Sequence, residues 1–193
     1  EAVAPPWVAK AGTHPKDQRA PSQPQPHAPQ VMGYGLNYGY AIEGAVAQVE
    51  RAHEIAGGKG AININVLWEM GGAEAVLHGV LERTKGKVAG VTCGAGMPYR
   101  LSEIAKQYGV YYLPIVSSGR AFRALWKRAY HKVPELLGAV VYEDPWLAGG
   151  HNGLSNAEDP TKPEDPFPRV KQLREMMRKE GISDDIPIVM AGG

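Results

Sequence analysis

A glycine-rich loop with one histidine is the part of this sequence that could most directly carry chemistry. An apolar run at residues 139–142 ends at two acidic residues, and the chain then reaches Gly149, Gly150 and His151. Glycines let a backbone approach a ligand closely and adopt positive φ at little cost, and a histidine changes charge near neutral pH. A strand end, a loop rich in accessible amides and a proton-transfer group together predict the edge of an active site.

Three other predicted strand ends share this small, glycine-rich or hydroxyl-bearing character: residues 93–96, Ser117 with Ser118, and residues 191–193. Several such turns on one face predict a floor of backbone N–H groups that faces a flat or phosphorylated ligand. A Gly-Gly pair that leads into a helix would place amides and a helix dipole on a phosphate. The turns lack the Gly-x-Gly-x-x-Gly spacing of a dinucleotide fingerprint and the Gly-Lys-Ser/Thr of a P-loop. The residues alone therefore predict a phosphate-bearing cofactor without identifying it.

The elements that must position these turns alternate between strand and helix from residue 31 onward. Strands are predicted at residues 31–35, 61–67, 88–93, 110–116, 137–142 and 186–191. Apolar stripes and stop signals predict helices at residues 41–56, 73–84, 101–108, 119–129 and 170–180, with Ser117 or Ser118 capping the fourth. Strands that are apolar on both faces indicate a parallel sheet covered by helices.

Two closures of such a sheet are possible, a (β/α)₈ barrel and an open doubly wound sheet, and both bind ligands at the carboxyl ends of their strands. The sequence supplies about six strands, whereas a barrel needs eight. We therefore expect that the chain is incomplete as a barrel or depends on further segments.

Composition bounds the class of protein. The 193 residues are 44% hydrophobic and 21% charged with a net charge of +1, which is ordinary for a globular protein with one sizeable core. The near-zero charge argues against nucleic acid as the main partner, and no apolar run approaches the roughly 20 residues that span a bilayer. A single cysteine excludes an internal disulfide framework and favours a cytoplasmic location. No histidine pairs with an acid or cysteine at metal-ligand spacing, so no metal site is predicted.

Residues 1–30 differ from the rest of the chain. They contain seven prolines and few large apolar residues, so they cannot bury enough surface to offset the entropy of ordering. We predict an extended or poorly ordered segment at residues 1–30, followed by a cofactor-binding domain at residues 31–193.

The strand ends, taken as a set, resemble the nitronate monooxygenase family, also known as 2-nitropropane dioxygenases and described broadly as NAD(P)H-dependent flavin oxidoreductases. The resemblance is carried by Gly94-Ala95-Gly96-Met97-Pro98, by residues 113–118, by residues 148–153 and by residues 186–193. It covers residues 31–193 with order and spacing kept, and it implies an FMN-binding TIM barrel. Two features depart from the family: residues 1–30 lack its first strand with a Gly-Gly-Met flavin contact, and its eighth strand would lie beyond Gly193.

The resemblance implies a role for individual residues. His151 matches the active-site histidine of the family, which lies near the flavin and assists substrate oxidation. Asn65, or Asn63 in the alternative register, would contact the flavin from the third strand. The other implied cofactor contacts are Gly94, Ala95 and Gly96 beside the isoalloxazine, Ser117 at the fifth strand end, Gly149 and Gly150 on the ribityl-phosphate side, and Gly192 and Gly193 at the phosphate.

The function implied is that of an FMN-dependent oxidoreductase that oxidises nitronates or nitroalkanes with oxygen, or that uses NAD(P)H as reductant. An FMN-dependent enoyl-acyl-carrier-protein reductase shares the Gly-Gly-His loop and stays an alternative. A non-catalytic flavin- or phosphate-binding subunit of a larger assembly is an alternative of another class. The expected partners are a small-molecule substrate and either a second copy or another chain that completes the barrel.

Three further interpretations concern residues around the implied site. Cys93 is expected to be a small buried hydrophobe, although its strand-end position places it within reach of a flavin. Glu143 and Asp144 are expected to cap the next turn rather than act as an acid/base pair. Residues 154–168 form a proline- and acid-rich loop, which is either a lid over the catalytic face or a surface insertion.

Overall fold

Five parallel strands form the centre of the molecule in a computed structural model that describes residues 33–149, 153–156 and 158–192. The strands are β1 (Asn63–Leu67), β2 (Gly90–Gly94), β3 (Tyr111–Val116), β4 (Val140–Glu143) and β5 (Ile188–Ala191). They lie in the order β1-β2-β3-β4-β5, so each strand pairs with the next along the chain. Each predicted strand from residue 61 onward is therefore confirmed, with its bounds moved by a few residues.

In the described part of the chain, five helices accompany these strands: α1 (Gly33–Ile55), α2 (Ala73–Arg83), α3 (Leu101–Tyr108), α4 (Gly119–Arg128) and α5 (Pro166–Lys179). Two short 3₁₀ turns, Tyr130–Lys132 and Pro134–Leu136, separate α4 from β4. Ser118 caps α4, since its hydroxyl accepts a hydrogen bond from the backbone N–H of Ala121 (3.2 Å). Among the described residues, no helix is long and apolar enough to cross a membrane.

All five helices pack on the same face of the sheet. Alternate strand residues such as Val91, Tyr112 and Tyr142 are fully buried in one core with residues of every helix, from Val49 of α1 to Met177 of α5. The strand residues between them point to the opposite face, because successive side chains alternate across a strand. This opposite face is named the inner face; it includes Asn65, Thr92, Leu113, Val141 and Glu143 in the register of the paired strands.

This arrangement decides between the two closures left open by the sequence. A doubly wound sheet reverses its strand order and carries helices on both faces, whereas here the order is sequential and the helices cover one face. The fold is therefore the (β/α) barrel type that the resemblance implied. Within the described residues the barrel is not closed, because β1 and β5 form the two edges of the sheet.

The first predicted strand, at residues 31–35, is wrong where the structure describes it. Residues 33–35 belong to α1, which begins at Gly33 and not near residue 41. The alternation of glycine with tyrosine and other large residues at the start of this helix imitates the period of a strand. The count of about six strands falls to five in the described part of the chain, and residues 1–30 lie outside it, so their extended character stays a prediction.

Candidate functional site

The carboxyl ends of the five strands lie along one edge of the sheet, and they bring together most of the predicted site residues that the structure describes. Gly94, Ala95 and Gly96 follow β2, Ser117 follows β3, Gly149 lies in the loop after β4, and Gly192 follows β5. Gly150, His151 and Gly193 lie outside the described residues. In a parallel α/β fold this edge is where ligands bind.

Asn65 lies on the inner face of β1, opposite Thr92 of β2 and two residues before the strand ends at Leu67. Asn63, which the alternative register would use, shares this face but lies two residues farther from the carboxyl end, opposite Gly90. Its Oδ1 occupies the space that a side chain at position 90 would need. The geometry thus favours Asn65 as the residue nearer the site.

The turn after β2 has a strained backbone. Ala95 adopts φ +61°, and it is the one described non-glycine residue with positive φ; Gly96 follows with φ +100°. Left-handed backbone at alanine costs about 1–2 kcal/mol, and strain of this kind collects at ligand sites. The turn is held against the end of β1, because the backbone N–H groups of Trp68 and Glu69 donate to the carbonyls of Gly94 (2.7 Å) and Ala95 (3.1 Å).

Gly96 also leaves room for the side chain of Glu69. A Cβ atom at position 96 would lie 2.6 Å from Glu69 Oε1 and 2.7 Å from its Cγ, closer than real contacts allow. Glu69 therefore extends over the β2 turn at the rim of the candidate site. No sequence motif identifies Glu69, because its position depends on the pairing of two strand ends rather than on a local pattern.

The ends of β4 and β5 are also in contact. The backbone N–H of Asp144 donates to the carbonyl of Ala191 (3.1 Å). Gly192 has φ +102°, and a Cβ atom there would lie 3.4 Å from the backbone nitrogen of Asp144. Gly192 is thus conformationally required to be glycine, and its backbone lies directly beside the start of the loop that carries Gly149.

The two acidic residues at the end of β4 have different environments, and the expectation that both cap the next turn is only half right. Asp144 does so, since its Oδ1 accepts hydrogen bonds from the backbone N–H groups of Trp146 (2.8 Å) and Leu147 (3.3 Å). Glu143 points to the inner face, is 7% exposed, and its Oε2 is buried without a hydrogen-bond partner among the described residues.

The alternation of side chains along β4 is the sequence signal that places Glu143 on the inner face. Val141 and Glu143 share a face, and Glu143 pairs in register with Ala191, immediately before Gly192. A buried carboxylate oxygen without a partner lowers stability. A role in binding a ligand is one explanation for such a group, so Glu143 is a candidate for a ligand-facing carboxylate.

Replacing Glu143 by glutamine is expected to raise the free energy of unfolding by about 1 kcal/mol, because the isosteric amide removes a buried charge without opening a cavity. Urea denaturation of the two proteins at neutral pH measures the difference. Glu54→Gln is the matched control, since the Glu54 side chain is 66% exposed and its ion pair with Arg51 is a surface pair worth little. A loss of stability in Glu143→Gln would show that this carboxylate already has a partner.

Cys93 does not reach the inner face. It is fully buried on the helix side of β2, and burial raises the pKa of its thiol to about 12. The thiol therefore stays protonated and unreactive at neutral pH. The expectation of a small buried hydrophobe is confirmed, and the possibility that Cys93 contacts a flavin is wrong because the side chain points away from the inner face.

The loop between β4 and α5 packs on a single arginine that no sequence pattern identifies. Arg169, in the first turn of α5, has its side chain 14% exposed and contacts Ser117, Glu158, Glu164 and the ring of Trp146. Its partners lie up to 52 residues away, so no local motif could have revealed it. Ser117, predicted as a cofactor contact, is thereby linked to the loop that carries Gly149.

Solved structures share this fold. The chain is similar to the M276A mutant of FabK from Thermotoga maritima, with 19% identity and a TM-score of 0.51. The match covers 77% of this chain and 42% of that one, so the chain spans less than half the length of the solved protein. FabK from Thermotoga maritima (21% identity, TM-score 0.46, 68% and 34% of the two chains) and nitroalkane oxidase from Streptomyces ansochromogenes (18%, 0.43, 79% and 39%) are also similar.

No protein-family model and no curated protein matches the chain. The likeness to the FabK structure supports the fold, which is the barrel type that the family resemblance implied.

Proposed function

We propose that the chain forms the greater part of an FMN site in an oxidoreductase of the nitronate monooxygenase type. The observation that carries the proposal is the shared edge along which the strained turn after β2, Ser117, the loop with Gly149, and Gly192 all lie. These are the positions that the family resemblance assigns to FMN. The similarity in fold to FabK supports the same class of barrel.

The residues of this edge fit a flavin with a phosphate. Ala95 and Gly96 expose backbone rather than bulky side chains beside the inner face, which suits the flat isoalloxazine ring. Gly192 offers a backbone without Cβ at the end of β5, which suits a phosphate bound by amide groups. Ser117 directly follows β3, which lies between β2 and β5 in the sheet, and would contact the cofactor from that strand end.

The cofactor, when bound, supplies the redox chemistry, and the protein supplies binding, orientation and electrostatics. Asn65 would orient the ring from β1 through its side-chain amide. Gly149 and Gly150 would let the loop backbone approach the ribityl-phosphate side. His151 would bind the polar group of the substrate or move a proton. The proposed substrates are nitronates or nitroalkanes with oxygen as acceptor, and NAD(P)H is the alternative reductant.

A visible absorption spectrum of the purified protein, recorded before and after heat release, tests the proposal. We expect a flavin spectrum, or one that appears when FMN is added, with FMN identified in the supernatant. Oxygen uptake with propyl-2-nitronate would then support the nitronate activity, whereas NADPH oxidation driven only by an enoyl thioester would support the enoyl reductase. A protein that stays colourless in excess FMN overturns the proposal and favours a partner-dependent, non-catalytic role.

Gly96→Ala is expected to weaken FMN binding about tenfold or more, because the methyl group strains the turn and displaces Glu69 at the rim of the site. Fluorescence titration with FMN measures the dissociation constant. Gly109→Ala is the matched control: Gly109 also has positive φ (+67°), but it ends α3 at the opposite edge of the sheet and has open space around it. Equal FMN affinity in both variants would contradict the assignment of the β2 turn.

A further inference from the structure

Arg169 is a partly buried cation that joins three separate parts of the chain. Its Nη2 donates to the carbonyl oxygen of Ser117 (3.3 Å) and to Glu158 Oε1 (2.5 Å), while its Nη1 donates to Glu164 Oε2 (2.9 Å). The guanidinium carbon lies 5.2 Å from the centre of the Trp146 ring, within the range of a cation–π interaction. One side chain thus contacts the end of β3 and both halves of the β4–α5 loop.

The partners of Arg169 organise the loop in turn. Glu158 Oε2 accepts a hydrogen bond from the backbone N–H of Ser155 (2.5 Å), and the indole N–H of Trp146 donates to the carbonyl of Asp159 (2.9 Å). The first half of the loop, at Trp146, is therefore tied to the second half, at Asp159. Arg169 fixes both halves to the body of the domain.

The charges make this arrangement depend on the guanidinium. Burial would raise the pKa of the Glu158 carboxyl, but hydrogen bonds from Arg169 and Ser155 hold it below its ordinary value. Without Arg169, the mostly buried Glu158 carboxylate would lose its charged partner, and Glu164 would lose its own. The ammonium group of a lysine cannot replace the guanidinium of Arg169, because it lacks the planar set of N–H donors that reaches several acceptors at once.

We propose that Arg169 is the positioning residue that holds the β4–α5 loop against the end of β3 and so keeps the Gly149 segment in place for cofactor binding. The inference rests on the proposed function for its cofactor part. In this role Arg169 acts through Trp146, Glu158 and the carbonyl of Ser117.

Hydrogen exchange measured by mass spectrometry, combined with FMN titration, tests this role in Arg169→Met and Arg169→Lys. We expect amides of residues 144–149 and 153–165 to exchange about tenfold faster or more in both variants, since hydrogen bonds to charged groups are each worth about a factor of ten. The strands and α3 should exchange as in the wild type. The dissociation constant for FMN should rise about tenfold.

Arg178→Met is the matched control. Arg178 lies on the same helix and pairs with Asp184 (2.8 Å), but it is exposed and distant along the helix from the loop. It should leave both loop exchange and FMN affinity unchanged.

The outcomes separate this inference from the proposed function. Wild-type exchange rates in the loop of both Arg169 variants would overturn the inference, and so would faster exchange with unchanged FMN affinity. A wild-type protein that does not bind FMN would overturn the proposed function and the cofactor part of the inference. The exchange rates would then decide by themselves whether Arg169 holds the loop.

Discussion

Replacing His151 by alanine is expected to slow turnover of the flavin-loaded protein by about 10²–10⁴-fold, the usual contribution of a proton-transfer group positioned at a reacting atom. The expectation rests on the family resemblance and on the place of the loop. The loop leaves the carboxyl end of β4, and Gly149 lies two residues before His151 at the edge where the other strand ends meet. His151 itself lies outside the described residues, so its role is a prediction.

Two measurements make the His151 prediction specific. Flavin content, from the visible spectrum, should be close to that of the wild type, because the change removes an imidazole and no backbone amide. Turnover with propyl-2-nitronate should then fall while the cofactor remains bound. His53→Ala is the control, since His53 lies in the last turn of α1, before β1 begins, and not after the carboxyl end of a strand. Full turnover of His151→Ala with flavin bound would contradict the prediction.

The strands from residue 61 onward were predictable because each one is a short apolar run in the sequence. Such a run is typical of a parallel strand that is covered by helices and paired with its neighbours. Residues 110–116 show the pattern: Tyr112 is fully buried among the helices, and Ile115 is nearly buried on the inner face. The start of α1 was not predictable in the same way. Its first residues alternate glycine with larger side chains, and a helix that begins there has no capping signal in the sequence.

The strand-end glycines of the candidate site were predictable because a turn that needs positive φ restricts the residue type at a single position. Gly96 and Gly192 both meet this condition, with φ values of +100° and +102°. Ala95 does not, since alanine at φ +61° gives no signal in the sequence.

The side chains that organise the site were less predictable. Predicting the role of Glu143 requires knowing that alternate residues of β4 point to the inner face. Its acidic neighbour Asp144 does have the capping role that was expected of both residues. Predicting the role of Arg169 requires knowing which distant residues lie together, because its contact with Ser117 joins residues 52 positions apart in the chain. Long-range contacts of this kind leave no periodicity or spacing in the chain.

Replacing Leu173 by alanine is expected to lower the free energy of unfolding by about 2–5 kcal/mol, the range for a fully buried leucine whose removal leaves a cavity. Leu173 is 0% exposed in the middle of α5. Its Cα lies 3.3 Å from the position that a Cβ atom of Gly119 would take, so α5 packs closely on the first residue of α4. The surroundings of Leu173 therefore have little room to collapse into the cavity.

This packing connects stability to the candidate site. α4 begins two residues after Ser117, and α5 carries Arg169 four residues before Leu173. Urea denaturation should show the full loss for Leu173→Ala, whereas Leu147→Ala, at a leucine that is 60% exposed, should change stability by about 0.5 kcal/mol or less. FMN affinity of the folded Leu173→Ala protein should fall as well, because a looser contact between α4 and α5 loosens the contact of Arg169 with Ser117. A loss below about 1 kcal/mol would show that these helices repack easily. An unchanged FMN affinity would show that the site does not depend on their close approach.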